Sequence, residues 1–239
     1  MKLGNLTVIG TSHIAKDSVS MVRETMLAEK PDIVAVELDH ARLQVMLSDE
    51  KPRFSLSMLR LMGLTGALFF FIGNFLQRRL GKIIGASPGE EMKTAVKLAR
   101  QNGTRVALID QPFNITMSRI SGISMGEKLK LGRDLLFGVT GLEKEKMRID
   151  LTKVPPESFV RTAMKKVSER YPQLYKALVT DRDNYMAKML ATIIRMEPQS
   201  KVVAVVGAGH EREVVRLVTI EIKHASNEQA NGQAKHLKR

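Results

Sequence analysis

Two histidines follow a glycine at the same spacing near opposite ends of the chain, in Gly10-Thr11-Ser12-His13 and Gly207-Ala208-Gly209-His210. Each motif comes directly after an apolar run, Leu6 to Ile9 in one case and Lys201 to Val206 in the other. Two acidic residues hold the same station after two further runs: Glu37 after Ile33 to Val36, and Asp110 after Arg105 to Ile109. Imidazoles and a carboxylate gathered at one edge can hold a divalent metal, with one position left open for a water whose pKa falls toward neutrality. In that arrangement His13, His210 and Glu37 are the ligands, with Asp110 in reserve. Two other readings stand beside it. Acidic residues at strand ends also cap helices and close turns. The turns at Gly10 and Gly207, which admit close backbone approach, also have the form of a phosphate nest, although no Walker lysine or complete Gly-x-Gly-x-x-Gly accompanies them.

The elements that must position these groups alternate. After the first run, Val19, Val22, Met26 and Leu27 recur at helical spacing. Ser87-Pro88-Gly89-Glu90 reads as a capping box, with Glu90 closing it, and starts a helix that ends at Asn102-Gly103. Residues 115–195 read as mostly helical, broken near Pro155-Pro156 and Pro172, and a last helix follows His210 to about Lys223. Continuously apolar strands separated by helices predict an α/β fold, with a mainly parallel or mixed sheet flanked by helices and a helical insertion between the third and fourth strands. Residues 1–223 form the domain on this reading, and the polar stretch 224–239 is a disordered tail. Ligands bind at the C-terminal edge of such sheets, where His13, Glu37, Asp110 and His210 all fall. The two strand, Gly-x-x-His and helix units echo one another, so their strands are candidates to be neighbours, which would bring the histidines together.

With 239 residues, 44% hydrophobic and 26% charged, the chain can bury one sizeable core. It has no cysteine, which excludes disulfides and thiolate metal sites and fits a reducing cytoplasm. The first residues lack the apolar stretch of a signal peptide. The net charge of +13 is uneven, with five basic against eight acidic residues in 1–50 and ten against two in 51–105. A basic surface suits nucleic acid, anionic membrane or an acidic partner. The absence of tryptophan and of any recognition motif argues against nucleic acid. Residues 61–76, LMGLTGALFFFIGNFL, carry no charge and are flanked by Arg53, Arg60, Arg78, Arg79 and Lys82. As a helix they would span about 24 Å, short of a bilayer's roughly 30 Å core. The apolar helix around them, about 54–84, is expected to be buried in the core, in a homodimer contact or on an anionic membrane surface.

Taken in order, GTSHIAKDSV, AVELDHAR, GASPGEEMKTAVKLA, LIDQPFNITMSRI, TDRDNYMAKML and VVAVVGAGHE resemble the motif series of the TraB/PrgY family over about residues 5–220. That family is similar to the Tiki and GumN proteins. The resemblance implies an α/β fold with both Gly-x-x-His loops at one site. Tiki proteins are metal-dependent proteases using manganese or cobalt, and PrgY and TraB proteins shut down a peptide pheromone. Carried over by motif, His13, His210, Glu37 and Arg42 belong to the site. Arg119 ends the fourth block, and Asp181-Arg182-Asp183 takes the place of an acidic-Arg-Asp block. Arg42, Arg119 and Arg182 are then clamps for a substrate carboxylate or carbonyl, or else ordinary ion pairs. Two features depart from the family. Asp110-Gln111 stands where the family usually has Asp-Arg, and prokaryotic members often continue into a hydrophobic membrane region.

The expected function is a hydrolase dependent on manganese, cobalt or zinc, acting on a peptide or small amide in the cytoplasm, with membrane association as a variant. The rival readings are a non-catalytic peptide-binding domain and a membrane-associated scaffold. For the apolar helix the expectation is direct: Phe70→Asp or Phe71→Asp weakens a dimer or causes misfolding. A wild-type chain that sediments as a monomer and ignores anionic liposomes would remove both the dimer and the membrane roles.

Overall fold

The computed structural model describes residues 1–11, 16–48, 89–137 and 157–236. His13, the apolar segment 54–84, and the Ser87 and Pro88 of the expected capping box lie outside the described residues.

Among the described residues five strands form one sheet: β1 (Lys2–Leu3), β2 (Leu6–Thr11), β3 (Ile33–Val36), β4 (Arg105–Leu108) and β5 (Val202–Gly207). Their order is β1-β2-β5-β3-β4. The short edge strand β1 pairs antiparallel with β2, and the other pairings are parallel, so the sheet is mixed. β2 and β5, the strands that lead into the two Gly-x-x-His motifs, are neighbours, with Gly10 opposite Val206 and Thr11 opposite Gly207. The adjacency that the internal echo predicted is present. β5 is also flanked by β3, with Val36 opposite Val205.

The helices follow as α1 (Lys16–Glu29), α2 (His40–Leu47), α3 (Glu90–Gln101), α4 (Phe113–Ser121), α5 (Met125–Phe137) and α6 (Glu157–Arg170). A turn at Pro172–Tyr175 and a π-helical segment at Lys176–Thr180 lead into α7 (Asp181–Met196), and α8 (Glu211–His236) closes the chain. The alternating side chains of β5 show why the layers form. Val202, Ala204 and Val206 pack under Met186, Ala187 and Leu190 of α7 and Val214 and Val218 of α8. Val203 and Val205 face Val22 and Met26 of α1 and Met92, Ala95, Val96 and Ala99 of α3 on the other side. Burying both faces of a parallel sheet calls for this three-layer arrangement.

The helical insertion between β4 and β5 has a small core of its own, with Met117, Ile120, Ile123, Leu131, Tyr171 and Leu174. The fully buried Asp134 lies in α5, beside that core. It accepts hydrogen bonds from Tyr171 Oη at 2.6 Å and Arg170 Nε at 2.7 Å, which compensate its desolvation.

Two expectations about helix ends need correction. α3 begins at Glu90 with Gly89 as its N-cap, in a left-handed conformation (φ 82°) that favours glycine, and no side chain among the described residues caps it. The last helix does not stop near Lys223 but runs to His236, through the stretch expected to be disordered. The residues there are polar, but Ala, Glu, Gln and Lys are good helix formers. Polarity removes the reason to be buried, not the ability to be helical. Among the described residues, no helix is long and apolar enough to cross a membrane.

Among the described side chains, Ile222 is the last apolar residue of α8 packed against the core. Truncation after Lys223 is therefore expected to shift Tm by only a few degrees, whereas Val218→Ala should cost about 2 kcal/mol. Thermal and urea denaturation of the two variants test the contrast.

Candidate functional site

Glu37, Asp110 and His210 come together at the C-terminal edge of the sheet, and helix α7 supplies the groups that join them. Glu37 follows β3 directly, and its N–H donates to Val205 O at 3.1 Å, so it continues along β5. Its side chain, 2% exposed, accepts the N–H of Gly207 on Oε2 at 2.6 Å and the Arg182 guanidinium on Oε1. Asp110, reached through the buried Ile109, accepts Arg182 Nε at 2.9 Å and Nη2 at 2.8 Å, a two-pronged contact. Arg182 thus bridges the ends of β3 and β4. Burial works against its charge, but the Glu37 and Asp110 carboxylates more than offset this, and its pKa is raised above the ordinary arginine value.

The next residue, Asp183, turns to His210. Its Oδ1 lies 2.6 Å from His210 Nδ1, and both side chains are buried. An ionised Asp183 accepts Nδ1–H, and this leaves the Nε2 lone pair facing Arg182 Nη1 at 3.4 Å and Glu37 Oε1 at 3.5 Å. Burial pushes the Asp183 carboxyl above the usual carboxylate range, while its contact with His210 pulls in the opposite direction. Asp183 closes the Asp181-Arg182-Asp183 block, and its place in the site is a finding of the structure. No spacing rule could have connected it with His210, 27 positions away.

Arg42 sits in the first turn of α2 and donates Nη1–H to Asp110 Oδ2 at 2.7 Å, with its side chain 41% exposed. Asp39 caps α2 through the Arg42 N–H at 2.7 Å, and its other oxygen accepts the N–H of Phe113 at the start of α4. This buried carboxylate ties two helix starts together behind Arg42. Its residue type and its place just before a helix were the signals that could have singled it out.

Arg119 is placed differently. It pairs with Asp181 at 2.6 Å rather than with Glu37 or Asp110, and Asp181 also takes Lys176 at 2.7 Å. These contacts fasten the start of α7 just before Arg182. Gln111, at the position where the resemblance implies arginine, is buried, and its Nε2 donates to Thr116 Oγ1 at 2.8 Å in α4. Glu90 is exposed at the start of α3, while its neighbour Glu91 is buried. His40 faces solvent.

The glycines have separate uses. A Cβ on Gly10 would fall against Glu211 of α8, within 3.1 Å of its Cβ, so glycine lets this helix start close over β2. Gly207 contributes its backbone N–H to Glu37. Among the described residues, no group of three or more His, Asp or Glu is arranged to hold a metal ion. His210 Nε2 and Glu37 Oε1 are spaced like two donors to one ion, since tetrahedral ligands at about 2.1 Å lie roughly 3.4 Å apart. The Arg182 guanidinium, however, sits against both. The donors fit a cation and the guanidinium between them does not.

The fold and site define an α/β protein with a buried histidine, carboxylate and guanidinium network at the C-terminal edge of its sheet. The chain belongs to the TraB/PrgY/gumN family, whose pattern it matches over residues 2–219. It is 34% identical over 217 residues to an uncharacterised protein of Methanocaldococcus jannaschii, covering 89% of this chain and 53% of that one. It is 28% identical over 228 residues to TraB domain-containing proteins of Bos taurus and Homo sapiens, covering 85% of this chain and 59% and 60% of theirs. The chain thus spans between half and three-fifths of the length of these relatives.

The raised pKa of Asp183 has a consequence for stability. A carboxyl whose folded value lies above its unfolded one stabilises the fold below about pH 4 and loses that contribution as pH rises through the folded value. Asp183→Asn removes this slope. The stability of the variant relative to wild type should therefore rise from about pH 3.5 toward neutrality, which urea denaturation across pH measures.

Proposed function

We propose that this site hydrolyses an amide bond in a peptide or small amide, with His210 as the group that moves the proton. The observation that supports the reading most is the pairing of His210 Nδ1 with the buried Asp183, which leaves Nε2 to act at the edge where the strands end. In the proposed reaction, Nε2 takes a proton from water as the water oxygen bonds to the amide carbon. Arg182 Nη1, 3.4 Å from Nε2, donates to the oxyanion that develops on the carbonyl. The resulting imidazolium, stabilised by Asp183, then returns its proton to the amine as the C–N bond breaks. Glu37 and Asp110 keep Arg182 oriented throughout. The family resemblance to metal-dependent proteases supports an acyl substrate, and inactivation of a signal peptide is one use that fits it.

A metal-dependent form of the same chemistry is a second reading, favoured by the 3.5 Å spacing of His210 Nε2 and Glu37 Oε1. His210, Glu37 and His13 would hold the ion, and manganese, cobalt or zinc would supply Lewis acidity there. Arg182 would have to withdraw from Glu37 to admit it.

His210→Ala should abolish peptide hydrolysis, a loss of at least about a thousandfold, while leaving the fold intact by circular dichroism. His13→Ala distinguishes the readings. Activity that survives it, and survives chelation, fits the metal-free route. Activity that is lost on chelation and restored by manganese, cobalt or zinc fits the other. Retention of full activity by His210→Ala would overturn both.

A further inference from the structure

Gly209, one residue before His210, is a glycine for reasons of space. Among the described residues the left-handed glycines are Gly4, Gly89 and Gly103, so Gly209 is not kept for its backbone conformation. A Cβ there would meet Met164 of α6, whose methyl carbon already fills that place and whose Sδ would lie 3.8 Å from it. The helical insertion thus reaches back to the sheet edge and sets one side chain directly on the loop that carries His210.

That side chain is held from below. Val167, one turn on from Met164, packs against the core of the insertion. Arg170, at the end of α6, donates Nε–H to the buried Asp134 at 2.7 Å, and Lys130 Nζ of α5 donates to the Arg170 carbonyl at 3.0 Å. These contacts fix α6 on α5. Met164 itself is half-buried, so part of its thioether stays open beside the loop.

What Met164 adds follows from what the site lacks. The imidazole nitrogens of His210 meet Arg182, Glu37 and Asp183, all of them charged. Such groups bind the polar atoms of an amide but offer no surface to an apolar side chain beside it. Ligand sites join a few placed polar groups to apolar walls, and Met164 puts an apolar group against the loop. Tyr175, half-buried in the turn after α6, brings a ring to the same neighbourhood. Burial, and then the charges of Asp183 and Glu213, raise its phenol above the ordinary value and keep it neutral. A thioether is flexible and polarisable, and it packs on aliphatic and aromatic groups alike.

We propose that Met164 selects the substrate's side chain, so that the site prefers peptides in which a large apolar residue, aliphatic or aromatic, flanks the amide held at His210. This rests on the amide-hydrolase reading for the reaction, but the preference itself is a property of binding.

The test uses the full chain and blocked hexapeptides of glycine and serine with one varied residue at the third position. One set carries Leu, Met or Phe there, and the other Asn, Gln or Thr. Binding is read by retention on immobilised protein, and turnover with the bond cut by mass spectrometry. The apolar set should bind about tenfold or more tightly, the size of about one or two methylenes in an apolar pocket. Met164→Ala should flatten that preference by weakening the apolar set alone, and Met164→Leu should keep most of it. Gly209→Ala should flatten it too, because the new Cβ takes the place of the Met164 methyl. Met196→Ala, at the exposed far end of α7, should leave it unchanged. Circular dichroism and Tm show whether each variant is folded. Where Met164→Ala is not, Met164→Gln, equal in length but polar, takes its place. Equal binding of the two sets, binding of neither, or a preference that persists in folded Met164→Ala or Met164→Gln overturns the proposal. Apolar preference without turnover removes the hydrolase reading and leaves the role of Met164 standing. Turnover without the preference does the reverse.

Discussion

The Arg182 guanidinium between Glu37 and Asp110 is the contact on which the rest of the site depends. Two carboxylates buried at a sheet edge would each cost several kcal/mol if left unpaired. One planar cation that donates to both removes most of that cost, and it joins parts of the chain 145 and 72 positions apart. The contact works only if α7 sits at one height and one rotation on the sheet. Met186, Ala187 and Leu190, one to two turns further along, secure this by packing on β5 and its neighbours. The Arg119 and Lys176 contacts to Asp181 hold the helix start from outside. With the helix seated, its first turn presents two consecutive residues to the edge. Arg182 goes to the carboxylates and Asp183 goes to His210.

The central place of β5 follows from the same logic. A strand between β2 and β3 lets the loop carrying His210 stand beside the ends of both. The Gly207 N–H and the Glu37 side chain then meet across the gap, so strand pairing and site assembly share one register. The result is a set of charged groups that are paired and oriented before any substrate arrives. Preorganisation of this kind is what makes dipoles and charges effective in a water-poor site. Arg42 completes that balance, since its guanidinium brings a second positive charge to the pair of carboxylates that share Arg182.

Some of this was legible in the sequence because it is local. Four continuously apolar runs marked β2, β3, β4 and β5, and the shared Gly-x-x-His pattern marked β2 and β5 as a pair that the sheet indeed sets side by side. Glu37, Asp110 and His210 could be named as edge residues because strand ends have a fixed place in an open sheet. The end of the last helix is not legible from low apolarity, because helix propensity depends on the backbone and rotamer freedom of each residue.

What the tertiary structure alone decided was who pairs with whom. Asp183 with His210, Asp39 with the Phe113 N–H, and Arg42 with a carboxylate that also holds Arg182 are contacts between residues whose neighbours in the chain say nothing about one another. Side-chain type and spacing along the chain determined which groups could reach an edge. The packing of α7 on the sheet determined their partners, because a hydrogen bond of under 3 Å depends on the rotation and height of a whole helix, and those are set by apolar surfaces far from the charges themselves.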